Sequence, residues 1–510
     1  MFHPILSENT TFVVNPAYKF RSDLTSVVVT NNDSLYFDVF DQNATAQKDF
    51  AWRIPPLIAY LFSFFNGTNT LGEAIAKISA FTDSTKEEAL GAVQPFIGNK
   101  ETKAITSLMK GAHRTFYLPK EFLVKSNPGS YTRDLLKNIN IKSIQTNFEI
   151  RSVRFNIPNE FTIMLNNKCL TDCIYCYADR HHNSIVPLSI SRLTSLIEEA
   201  RRLGCRSIEL SGGEILLHES WYELVKLLLI NEYFPLISTK IPVDEQVIEK
   251  MCDLGLNRIQ ISLDSTNPNI LSSLLHVNNS YFNKMNRALQ NLEKKGIRIK
   301  IKSTISNQND DLSEMKRLTS FLTRFSNIYE VSITPAEHSL YKPFDFATTL
   351  NRYRPIQDYI EEISPSYPCL ISAQRCVSPP ADGSFEGKNI KYTKRNMCSG
   401  NVSTFYLLPD GKATLCEQLY WHPFFILGDC SIQSIMEMWN SDKALSLWNI
   451  KQDEIKLTSP CKACPDFEKC RRGKGTCWRH AIQAYGTDNY DFPDYDCPYA
   501  PIPYNSVYHL

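Results

Sequence analysis

The sequence predicts an α/β protein: a partial (β/α)6 barrel, preceded by a small winged helix-turn-helix unit and followed by a cysteine-rich extension. Three observations carry this expectation. Strand and helix patterns alternate from Phe161 to about residue 335. In the first hundred residues, β-rich runs precede three short helical patterns. The 15 cysteines are distributed unevenly, with none before Cys169 and ten between Cys369 and Cys497.

Taken in order, the segment 1–100 opens with β-rich runs at Ser26–Thr30 and Ser34–Phe40 around a polar Asn31-Asn32-Asp33 turn, which predicts a hairpin. Helical patterns follow at Pro55–Phe65, Leu71–Phe81 and Ser84–Ile97, with a turn expected at Asn66–Thr70. Residues 101–155 show no sustained period and are broken by Pro119, Pro128 and Gly129, so they read as a connector. Residues 156–340 carry the barrel strands Phe161–Leu165, Ser207–Leu210, Leu236–Ser238, Arg258–Leu263, Arg298–Ile305 and Tyr329–Ile333. The helices between them are punctuated in the ordinary way. One runs from Ile190 to Leu203 after an N-cap at Ser189 and stops at Gly204. Right-handed crossovers would curl six such units into an open barrel whose chemistry lies at the C-terminal ends of its strands. Residues 341–510 form the cysteine-rich extension.

Composition narrows the function. A chain of 510 residues with 43% hydrophobic content, 21% charged residues and a net charge of +1 has material for several folded domains. It lacks the basic excess that a nucleic-acid partner requires. No window approaches the roughly 20 apolar residues of a membrane span, and no export signal opens the chain, so a cytoplasmic protein without a membrane partner is expected. In a reducing compartment, 15 cysteines point to metal binding or chemistry rather than to disulfides. Cys205 and Cys252, isolated on or beside helices, read as inert core residues.

Directly after the first barrel strand comes Asn166-Asn167-Lys168-Cys169-Leu170-Thr171-Asp172-Cys173-Ile174-Tyr175-Cys176-Tyr177-Ala178-Asp179. Its three thiolates, Cys169, Cys173 and Cys176, converge at the barrel mouth. Three ligands on a four-iron cubane leave one iron for a small chelating molecule. Structural zinc, the competing interpretation, needs four closed ligands and would have to recruit His181 or His182.

This loop resembles the signature of the radical S-adenosylmethionine (SAM) superfamily. The resemblance implies a [4Fe-4S] cluster whose open iron holds the amino and carboxylate groups of S-adenosyl-L-methionine and whose electron cleaves it to a deoxyadenosyl radical. Ser211-Gly212-Gly213-Glu214 resembles the segment that meets the methionine amino group, although Ile215 replaces the usual proline. Ser262-Leu263-Asp264, at the end of the fourth strand, is similar to the ribose-contacting position; Ser262 and Asp264 would equally suit a helix cap.

The order Cys398, Gly411, Cys416, Cys461, Cys464, Cys470, Cys477 and Cys497 resembles the SPASM extension, which implies two auxiliary clusters and three [4Fe-4S] clusters in total. By family pairing, Cys461, Cys464, Cys470 and Cys497 hold the outer cluster and Cys398, Cys416 and Cys477 the inner one. The loop from Arg471 to Thr476 is longer than the family commonly has. Two zinc knuckles are the competing interpretation, because thiolate spacing does not separate zinc from iron. The fourth inner ligand is either Cys369, Cys376 or Cys430, or else a substrate cysteine.

The amino-terminal unit resembles the PqqD-like leader-recognition (RRE) element of peptide maturases, which binds an extended leader by β-augmentation. Together these resemblances imply an oxidoreductase that modifies a ribosomally made precursor peptide (a RiPP) bearing a leader. It would form cysteine thioether crosslinks of the sactionine or ranthipeptide type and be fed electrons by a flavodoxin or ferredoxin. Carbon–carbon crosslinking, epimerisation and anaerobic sulfatase maturation would use the same visible apparatus. A zinc-binding regulatory protein is the non-enzymatic alternative. Spacing assigns no general acid or base.

Overall fold

The computed structural model describes residues 7–23, 26–31, 50–109, 112–127, 129, 134–136, 139, 154–179, 185–343, 345–376, 392, 397–472 and 475–504. The chain divides into two compact units, Met1–Asn159 with Glu199–Ser207, and Glu160–Glu198 with Ile208–Leu510.

In the first unit, β1 (Thr11–Val14), β2 (Tyr18–Asp23), β3 (Ser26–Asn31) and β4 (Ala51–Ile54) precede a helix over Pro56–Phe62. Val27, Val28 and Val29 of β3 are fully buried, as expected of the central strand in an antiparallel β2-β3-β4 sheet. The expected partner strand, Ser34–Phe40, lies outside the described residues. The segment Asn66–Thr70, expected as a turn, is β5, which pairs with β1 in the register Thr11↔Thr70. Thr70 then caps the helix Leu71–Thr82 with a reciprocal Thr70–Glu73 box, and Thr85 with Glu88 does the same for Lys86–Val93.

The segment read as a connector contains β6 (Lys103–Met109), β7 (Ala112–Leu118) and β8 (Leu123–Ser126). β6 and β7 form a hairpin, while β8 pairs antiparallel with β1. Leu-Val-Lys-Ser has no alternation of its own, so the long-range ladder to β1 defines β8 as a strand. Rings of Phe62, Phe96 and Phe122 meet edge to face in the core, at 5.5 and 5.0 Å from Phe62.

In the second unit, strands form at β9 (Glu160–Met164), β10 (Ser207–Ser211), β12 (Arg258–Ser262), β13 (Arg298–Ile305) and β14 (Ile328–Pro335) near the expected positions, whereas the strand expected over Leu236–Ser238 is the two-residue β11 (Ser238–Thr239). They are laid in two sheets. One runs in the order β11-β12-β13-β14-β15, all parallel, with β15 being Leu370–Ala373. The other has the order β10-β9-β16-β17-β18, where β16 is Thr404–Leu407, β17 Lys412–Thr414 and β18 Ile426–Asp429. The helix Ile190–Leu203 starts where Ser189 Oγ accepts the Arg192 N–H (3.2 Å) and ends at Gly204, whose φ is 75°.

β16 places the cysteine-rich extension. It pairs in parallel with β9, with Phe405 opposite Phe161 and their rings stacked at 4.8 Å. The stretch that begins at Cys398 is thereby laid beside the strand that feeds the three-cysteine loop. Among the described residues, no helix is long and apolar enough to cross a membrane.

Candidate cofactor and iron–sulfur sites

Four successive strand ends build the first site. After β9, Thr171 Oγ1 stands 3.2 Å from Cys169 Sγ and 3.4 Å from Cys173 Sγ, and Cys176 lies within electrostatic reach of Cys173. Burial pushes the Cys173 thiol up to about 11, with the Lys240 charge pulling the other way. Buried thiolates therefore need cationic compensation, which suits a metal core.

After β10, the Gly213 N–H donates to Asn166 O (2.6 Å) and the Glu214 N–H to Lys168 O (2.7 Å). Gly212 has φ 117°, and a Cβ on either glycine would collide with the carbonyl oxygen of Asn166 or Lys168. The glycines are thus required for main chain to lie against the cysteine loop itself. Gly213→Ala is expected to displace the loop at Lys168 and to remove about four irons per chain, as read by iron and sulfide analysis with circular dichroism as a check on folding.

The Glu214 carboxylate is buried, and burial raises its pKa although the backbone N–H groups of Lys240 (3.3 Å) and Leu216 (3.4 Å) donate to it. A cationic ligand group would hold it ionised. After β11, Lys240 Nζ donates to Asp264 Oδ2 (2.8 Å) and to Tyr175 OH (2.9 Å), and Tyr175 OH donates to the same Asp264 oxygen. Burial opposes the Lys240 charge, but Asp264 and Cys173 outweigh it and hold the ammonium above its usual range. After β12, Ser262 stands opposite Lys302, and buried Asp264 accepts the Thr304 N–H at Oδ1 (2.8 Å). Tyr281 closes this side by donating to Lys240 O. The sequence reading missed Lys240, Tyr175 and Tyr281. The available signal was the position of Lys240 immediately after the third strand.

The later cysteines fall into two sets. Cys398, Cys416 and Cys477 lie within charge reach of one another, and burial pushes Cys416 up to about 12 and Cys477 up to about 11. Cys461, Cys464, Cys470 and Cys497 form the second set, in which burial raises the thiols of Cys461, Cys464 and Cys497, the last to about 12. Gln452 Nε2 fixes that loop by donating to Cys461 O (3.2 Å) and Cys464 O (2.8 Å). The sets bring together three and four thiols, a sulfur-rich supply that suits iron–sulfur cores, although Cys398 is exposed.

Cys369 lies beside Glu330 and Tyr367, and Cys376 beside Tyr353 and Gln374, both at β15. Cys430 is buried, its N–H donating to Gly411 O. The groups packed against Cys477 are instead His480 and Asp494, whose ligand atoms and the Cys477 sulfur all lie within 4.8 Å of one another. Cys205 is buried as expected, but Cys252 is exposed, on the solvent side of the helix Glu245–Asp253. His181 and His182 lie outside the described residues.

A polar bridge joins the first site to the Cys416 set. Tyr177 OH donates to Glu417 Oε2 (3.3 Å), and Glu417 follows Cys416 directly. Burial raises the Glu417 pKa in spite of Tyr177 and the Lys302 charge. Arg479 Nη1 donates to Glu337 Oε2 (2.6 Å) and to Gln418 Oε1 (2.7 Å), with its charge beside Cys477 and Cys416.

Residues 163–321 match the Radical SAM superfamily, and residues 398–465 match an iron-sulfur cluster-binding domain, SPASM. A probable GTP 3',8-cyclase of Methanocaldococcus jannaschii is 29% identical over 128 residues, which are 25% of this chain and 40% of that protein. The chain thus spans about two fifths of that relative's length. Crystal structures of Streptococcus suis SuiB share the fold across both units. The form bound to S-adenosylmethionine has a TM-score of 0.61 at 13% identity, covering 95% of this chain and 99% of SuiB. The form bound to precursor peptide SuiA has a TM-score of 0.61 at 12% identity, covering 96% and 100%. Residues 163–321 are therefore a radical SAM domain and residues 398–465 a SPASM domain, and the cofactors they take are [4Fe-4S] clusters and S-adenosyl-L-methionine.

Proposed function

We propose that this chain is a radical SAM maturase that forms cysteine thioether crosslinks in a ribosomally made precursor peptide. The observation that carries it is the inner set of three cysteines joined through Glu417 and Tyr177 to the three-cysteine loop. When bound, the cluster and S-adenosylmethionine supply a radical that takes one hydrogen atom from carbon. The protein's part is to hold the cysteine sets, to exclude water and to manage one proton. Cys169, Cys173 and Cys176 hold the cluster that cleaves S-adenosylmethionine; Gly212, Gly213 and Glu214 receive its methionine end, and Ser262 and Asp264 its ribose. An open corner on the inner set would take a peptide thiolate, with Glu417 accepting the thiol proton. The likeness to a fold known with its precursor peptide bound supports a leader-binding role for the first hundred residues, and a flavodoxin or ferredoxin would supply electrons.

The proximity of His480 and Asp494 to Cys477 favours a second reading, in which one of them fills the inner corner and the product is a carbon–carbon link. Co-expression with a precursor peptide separates the two. Thioether formation lowers the peptide mass by two hydrogens per link and is blocked when the peptide cysteine is replaced by alanine. Loss of two hydrogens that survives this replacement establishes the carbon–carbon link. Anaerobically purified protein is expected to hold about twelve irons with matching sulfide; colourless, zinc-loaded protein would overturn both readings.

A further inference from the structure

Arg471, the residue after Cys470, lies at the end of the helix Phe467–Arg472, and it is nine-tenths buried. Its guanidinium lies over the rings of Phe467 (5.3 Å), one turn back on the same helix, and Trp478 (5.2 Å), at the start of the helix Trp478–Tyr485. Nη2 donates toward Cys461 Sγ at 3.9 Å. Nη1 is buried and has no hydrogen-bond partner among the described residues. The same side chain walls a cavity shared with Cys398, Asn401, Trp448, Thr476 and Trp478, so the guanidinium stands where the two cysteine sets approach one another. A buried cation with an unused N–H is costly unless an acceptor faces it, and cluster sulfur is such an acceptor.

We propose that Arg471 sets the reduction potential of the outer cluster held by Cys461, Cys464, Cys470 and Cys497. This rests on the cluster assignment made under Proposed function. The step is a one-electron reduction: a low-potential donor of the dithionite class loses one electron, the cluster gains it, and no bond forms or breaks. The cluster's net charge becomes more negative by one, and a guanidinium that is always charged stabilises that product over the oxidised form.

The test uses the full-length holoprotein, reduced stepwise with dithionite and followed by electron paramagnetic resonance. The outer signal is identified by its loss, with about four irons, in Cys464→Ala. Arg471→Met and Arg471→Gln are expected to retain the parent's iron and to lower the outer potential, shifting the reduced-to-oxidised ratio about tenfold at a fixed potential, or ~59 mV for one electron. Arg471→Lys, which keeps a charge without the planar fork, is expected to show a smaller fall. Full iron with an unchanged potential in the neutral variants overturns the proposal. Should those variants lose iron, Arg471→Lys decides: a fall supports the proposal and an unchanged potential overturns it. If Cys464→Ala changes neither iron nor spectrum, the outer-cluster assignment fails and takes this proposal with it, an outcome distinct from failure of the proposal alone.

Discussion

Cys173→Ala is expected to reduce cleavage of S-adenosylmethionine to background and to lower the iron content by about four per chain. Cys173 is the buried member of its trio, linked to Cys169 through the Thr171 hydroxyl and in charge contact with Cys176, Lys240 and Asp264. Alanine removes one of the three thiols of that loop. It also removes one of the thiols, beside Asp264 and Cys169, whose charge favours the Lys240 ammonium. Deoxyadenosine release under dithionite reads the outcome, with Cys252→Ala as the control, since that thiol is exposed and belongs to none of the sets. Deoxyadenosine formation that persists in Cys173→Ala would show that the cluster sits elsewhere.

Glu417→Gln is expected to slow crosslinking by about 10²–10⁴-fold while deoxyadenosine is still released. The replacement keeps the shape of the side chain and can still accept the Tyr177 hydrogen bond, but it cannot take a proton as a carboxylate does. Burial already raises the Glu417 pKa, so the carboxylate is a better base than an exposed one. Equal loss of crosslinking and of S-adenosylmethionine cleavage would show instead that Glu417 supports the first site, through Tyr177. Peptide mass analysis and deoxyadenosine release, measured on the same samples, separate these outcomes.

Most strands of the second unit were legible because they are short apolar runs between helices with ordinary caps, as Ser189 and Gly204 illustrate for Ile190–Leu203, whereas β11 is only Ser238-Thr239. The first unit was less so. Asn66–Thr70 has the composition of a turn, yet β1 recruits it as a strand, and Leu123–Ser126 becomes one for the same reason. Cys252 shows a related limit, because a single cysteine on an amphipathic helix does not declare which face it occupies. The charged residues around the first site were silent for a different reason. Lys240 and Asp264 are 24 positions apart and end different strands, so their ion pair exists only once the strands lie in parallel.

The sequence by itself determined the three-cysteine loop, because intervals of four and three residues after a strand confine Cys169, Cys173 and Cys176 to one short stretch of chain whatever the rest does. It also determined five of the six strands through their short apolar runs, but not the two-residue β11. Only the tertiary structure decided that Lys240 pairs with Asp264 and that Glu417 reaches Tyr177 across 240 positions. Those are contacts between segments far apart in the chain. The β16–β9 ladder, which lays the Cys398–Cys416 stretch beside the first strand, belongs with them, since pairing between distant strands has no signature in the local sequence of either.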